Sequence, residues 1–220
     1  MNSRTLGAIL ASTLGLLLVT GCATKAPYDY SALKESRPRS IVVLPPINLS
    51  PEIPATYSVL SYVTRPLAEA GYYVMPVTLV AEAFKENGMT EPTDMHGTSA
   101  EKLKEIFGAD AALYITISKY GTVYQVVQSA SVVAAQAKLV DLKTGKTLWT
   151  GSAQASSAES DSNQSGSLAA LLITAIIKQV VASALDQSHQ IAGIATARLL
   201  SPGPNGALLH GPRSPNFGKD

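Results

Sequence analysis

The chain has 220 residues with 17 basic and 16 acidic side chains, a formal charge of +1, and no block of like charge. That balance gives no electrostatic footprint for nucleic acid or an acidic polymer. A single cysteine, Cys22, rules out an internal disulfide framework.

Residues 1–21 have the layout of a signal peptide: Arg4 in a short positive region, an apolar run from Leu6 to Val19, then small residues. The run is shorter than the roughly 20 apolar residues that a membrane span needs. A plain secretory signal would look much the same as far as Val19. The tetrad Val19-Thr20-Gly21-Cys22 decides between the two readings, because it resembles the lipobox of bacterial lipoproteins, with Val19, Thr20 and Gly21 as the peptidase recognition residues. That resemblance implies a diacylglycerol thioether on Cys22, cleavage before it, and acylation of the new amine. Two or more acyl chains anchor stably where one does not, at about 0.8 kcal/mol per buried methylene. Ala23 in place of Asp implies, by the same resemblance, sorting to the outer membrane. The lipidated N-terminus and a tether are expected over 22–39, which holds Pro27 and Pro38, one α/β domain over 40–200, and a disordered tail over 201–220, where four prolines and four glycines fall.

Ser40–Leu44, closed by Pro45-Pro46, reads as a strand buried on both faces. Residues 55–70 follow at helical spacing, with Pro66 forcing a kink or a split and Gly71 ending the run. Tyr72–Val77 reads as a strand near an edge, since Pro76 cannot donate to a ladder. Thr78–Asn87 is a short helix, 89–97 a polar loop, and Thr98–Glu101 a capping box opening a helix to Phe107. Residues 111–119 alternate at strand period, 124–142 are rich in strand formers, Lys143–Lys146 make a tight turn, and 147–155 return. The fold class is therefore α/β: a mixed sheet in the order βαβααβ, then an antiparallel meander, with helices packed on it.

Residues 156–167 form a serine-rich loop, and a long helix runs from Leu168 to about Leu200. Its polar positions fall on one narrow stripe, so it needs burial on two sides. Lys178 near the centre would cost a membrane span roughly 2.5–3.5 kcal/mol. A helix between its own sheet and a second copy of the chain is favoured, with Leu172, Ile176 and Val180 as candidate self-association residues.

No catalytic, metal or cofactor grouping emerges, and no cofactor is expected. Ser31-Ala-Leu-Lys34 and Lys143-Thr-Gly145 imitate motifs of penicillin-interacting enzymes, but the first falls in the tether and the second in a hairpin turn. His96, His189 and His210 are scattered through loop, helix and tail, and read as solvated side chains. Glu101 and Glu105 interleave with lysines, as on an exposed helix face. The tyrosines and Trp149 read as strand and core residues.

Ile41–Pro45, Asp110–Ile115 and above all Leu139–Trp149 resemble a family of Gram-negative lipoproteins of unknown function that includes a neisserial surface antigen. The resemblance covers about residues 1–200. More distantly it is similar to the curli-secretion lipoprotein, to lipoprotein activators of penicillin-binding proteins, and to the amino-terminal domain of the Tol system's periplasmic protein. It implies a non-enzymatic α/β domain, anchored to a membrane, that assembles with itself or with envelope partners. The alternative it leaves open is a regulator that activates a peptidoglycan synthase. The chain lacks the extra pair of long alternating hairpins that a membrane-inserting barrel would need.

Overall fold

The computed structural model describes residues 28–123, 129–161, 184–203 and 206–220. Helix α1 (Ser31–Ser36) leads into β1 (Ser40–Val43), β2 (Ile47–Asn48), α2 (Ala55–Tyr62), α3 (Thr64–Glu69) and β3 (Tyr73–Val74). Three short helices follow, α4 (Val77–Glu86), α5 (Pro92–His96) and α6 (Ala100–Phe107). The meander is β4 (Ala111–Val123), β5 (Ala130–Asp141) and β6 (Thr147–Ser156), a 3₁₀ turn spans Ser157–Asp161, and α7 (Ala184–Leu200) closes the set.

The sheet runs β3-β1-β4-β5-β6, with β2 pairing β4 off that path. β1 is parallel to β3 and β4, which the intervening helices make reachable, while β4-β5-β6 is antiparallel. This is the mixed α/β sheet expected, extended by β2 and α5.

β1 alternates between two cores, as a strand covered on both faces must. Ile41 and Val43 join Leu113, Ile115, Leu139 and Trp149 beneath α2, α3 and α7. Val42 and Leu44 face Phe84, Met95 and Leu103 from α4, α5 and α6.

Several boundaries differ from expectation for identifiable reasons. The 55–70 helix splits at Val63, four residues after Val59 and three before Pro66. Pro66 has no N–H for the Tyr62 carbonyl, and its ring crowds that carbonyl. The cap of α6 is Ser99, whose hydroxyl accepts from Lys102 N at 3.2 Å, so the capping-box register beginning at Thr98 is one residue early.

The larger corrections concern the two ends of the domain. Residues 28–39, expected as tether, carry α1 with Leu33 buried, and the Tyr28 and Tyr30 rings lie 4.7 Å apart. Residues 206–220, expected as disordered, are fastened into the core. Leu208 and Leu209 are buried, and Gly206 O accepts from Trp149 Nε1 at 2.9 Å. Ala207 O accepts from Tyr30, Leu209 O accepts from Tyr72, and Gly211 N donates to Ala70 O. The proline and glycine count concealed a Leu-Leu anchor.

The expected self-association residues Leu172, Ile176 and Val180 lie outside the described residues, as do Cys22, its recognition tetrad and Tyr124. The described part of the C-terminal helix runs through Gly193 without a break, and Gly193 lies against the Tyr62 ring. Among the described residues no helix is long and apolar enough to cross a membrane.

Candidate functional site

The turn after β5 is built around Asp141. Its Oδ1 accepts from Lys143 N, Thr144 N and Thr144 Oγ1 at 2.8–2.9 Å, and its Oδ2 accepts from Ser36 Oγ at 2.5 Å. Burial would raise the Asp141 carboxyl, but the hydrogen bonds from Ser36, Thr144 and Lys143 outweigh it and hold the group below the ordinary carboxylate range. This contact brings α1 beside Lys143-Thr-Gly145, and Lys146 approaches Glu35 at 3.8 Å. Ser31 is nonetheless exposed at the start of a six-residue helix, its N–H donating to Asp29, and Lys143 is exposed too. The paired motifs therefore form a fastening between α1 and the hairpin, with no serine held against a lysine.

Each of the three histidines has a partner: His189 stays exposed, as expected, while His96 and His210 are half-buried, contrary to expectation. His189 Nδ1 lies 2.7 Å from Ser58 Oγ, and Tyr120 donates to the same Oγ at 2.9 Å, which leaves Ser58 to donate to the imidazole. The Ser58 side chain is buried in the seam of α2, α7 and β4, and no described carboxylate meets His189. A nucleophile would need an oriented base and open access; this relay instead ties two helices to a strand. His210 contacts the Asp220 carboxylate. His96 Nε2 lies 2.9 Å from Pro45 O, and its ring meets Tyr114 edge-on at 5.2 Å. Burial, helped by the charge of Lys138, lowers the His96 pKa, although the Pro45 bond opposes the shift. No sequence signal marks these partners, because each is remote along the chain.

Among the described residues no group of three or more acidic, histidine or cysteine side chains could hold a metal. Glu105 on α6 pairs with Lys102 at 3.0 Å, and Asp110, just after the helix, pairs with Lys104 at 3.3 Å.

A shallow, open concavity lies on the outer face of the meander. The register sets Tyr114, Lys138 and Thr150 side by side, and beside them Thr116, Gln136 and Ser152. These six residues and His96 line this concavity of about 610 Å³. Lys138 Nζ stands 5.1 Å from the Tyr114 ring centroid. Helices α4–α6 cover β1 and the start of β4 on this side, and they stop at His96. The face has polar groups able to bind, and no nucleophile–base pair.

Fold and site together define a mixed-sheet α/β domain. Residues 28–213 match the family described as "Putative lipoprotein GNA1162-like", and the chain belongs to that family. It is 44% identical over 207 residues, 93% of this chain and 95% of the other, to the "Putative lipoprotein NMB1124/NMB1162" of Neisseria meningitidis serogroup B. The crystal structure of lipoprotein GNA1162 from Neisseria meningitidis is 44% identical with a TM-score of 0.53, covering 66% of this chain and 100% of that one. The C-terminal domain of LpoB from Salmonella enterica is 22% identical with a TM-score of 0.40, covering 53% of this chain and 81% of that one, a likeness too slight to bear on function.

Proposed function

We propose that this protein is a lipid-anchored accessory of the bacterial envelope, a non-enzymatic scaffold in a transport, secretion or assembly complex. The observation that carries the reading is the position of Val19-Thr20-Gly21-Cys22, at the end of an apolar run and six residues before the family-matched domain begins at Tyr28. Cys22 takes the diacylglycerol and palmitate-type amide acylation, and residues 1–21 are removed. The domain faces the periplasm from the outer membrane. Self-association through Leu172, Ile176 and Val180 belongs to the same reading, and light scattering of the mature protein tests it: a strict monomer at tens of micromolar counts against that face. The absence of an assigned reaction is supported by the hydrogen bond between Ser58 and His189, with Ser58 in a buried seam, and by the lysine partners of Glu105 and Asp110.

Membrane fractionation of wild type and Cys22→Ala tests the anchor. The wild type is expected in the outer-membrane fraction and the variant in the soluble periplasm or unprocessed. Equal distribution of the two proteins overturns the proposal.

A further inference from the structure

The open sheet face carries a pattern that the scaffold reading does not use. Beyond the two rungs already described, the register places Lys119, Ala134 and Gln154 side by side as a third. Rungs on one face are two residues apart, so Lys138 and Lys119 stand on the order of 13 Å apart along the strands. Neither lysine has an ion pair with a described residue, and no Asp or Glu lies on any of the three rungs. Between the two charges are hydroxyls and amides, Thr116, Gln136 and Ser152, each able to donate and accept. The side chains of these three make no hydrogen bond within the described protein, whereas Thr150 is shared with Tyr28.

We propose that this face binds an acidic glycan, a strand of hydroxyl-rich sugars whose carboxylates meet Lys138 and Lys119. The concavity is too shallow to bury most of a small ligand, as enclosed pockets do. A polymer laid across the rungs needs no enclosure. Hydroxyls and amides that both donate and accept suit sugar hydroxyls, and two isolated ammonium charges suit widely spaced carboxylates. A nucleic-acid backbone, with a charge every few ångströms, would call for a denser basic track. His96 forms one wall: if Nε2 carries the proton given to Pro45 O, Nδ1 is left as an acceptor. This site goes beyond the accessory role and does not depend on the lipid.

Calorimetric titration of the mature full-length protein in nonionic detergent tests it, with a hyaluronan octasaccharide, which carries one carboxylate per disaccharide, as probe. Chitohexaose serves as the uncharged sugar and oligoglutamate of equal charge as the polyanion without hydroxyls. The hyaluronan octasaccharide is expected to bind at least tenfold more tightly than either control. Lys119→Ala with Lys138→Ala should weaken it at least tenfold, and so should Thr116→Ala with Gln136→Ala and Ser152→Ala. All five side chains lie on the outer face of the sheet, and thermal unfolding of each variant checks that it remains folded. Absence of binding, equal binding of oligoglutamate, or undiminished binding by either folded variant overturns the proposal.

Discussion

Asp141 gathers four hydrogen bonds from two elements, and its removal should be felt in both. Asp141→Ala is expected to lower stability by about 2–3 kcal/mol, the order of charged hydrogen bonds lost inside a folded chain, measured by urea unfolding. The pH dependence has a definite sign. Asp141 and Asp110 are both held below their ordinary values, burial being outweighed by their hydrogen bonds. Their contribution is complete above an unfolded pKa of about 4 and is lost as pH falls through the lower folded values. His96 acts in the same direction at higher pH. Its folded pKa is depressed, so the unfolded chain takes the proton first and stability falls as pH drops below about 6.5. His96→Phe should flatten the slope between pH 5 and 7. Ser58→Ala leaves the buried Tyr120 hydroxyl without its acceptor and should cost about 1–3 kcal/mol, with weaker amide protection at the start of α7. None of these partners could be read from the sequence, since Ser58 and His189 are 131 residues apart and His96 and Pro45 are 51 apart. Their residue types suited a solvated surface equally well.

At the scale of elements, the chain ends hold the lesson. Ile41–Leu44 and the alternation of β4 were legible because apolar periodicity directly reports burial. The C-terminal strap was not, because proline and glycine there set backbone geometry. Gly71 has φ +95°, and a β-carbon on it would lie 2.4 Å from Ser214 N. Gly71→Ala should therefore cost on the order of 2 kcal/mol through backbone strain and displacement of the strap. Leu208→Ala distinguishes a fastened strap from a disordered tail. The fully buried side chain predicts a loss of about 2–5 kcal/mol in thermal or urea unfolding, against almost none for a free tail. The exposed edge of β6 is guarded in a similar way. Tyr28 accepts from the Thr150 N–H and Arg198 donates to Gln154 O, so two backbone groups of that edge are satisfied by side chains. Tyr28→Phe with Arg198→Ala should open that edge and raise self-association in light scattering.

Across the whole molecule, the layering of a mixed sheet between two helical sets followed from the order of strands and helices in the chain. What order alone could not give was the uneven covering of the second face, which among the described residues stops at His96 and leaves the polar rungs of β4–β6 open. Under the proposed function, a lipid on Cys22 holds that domain a few residues from a bilayer, and its work is done by contacts at the membrane surface. Mass spectrometry of the N-terminal peptide of the mature protein tests this most directly. The expected mature chain begins at Cys22 and carries a diacylglyceryl thioether and an amide-linked acyl group; an unmodified Cys22 thiol in a processed chain would contradict the lipid anchor.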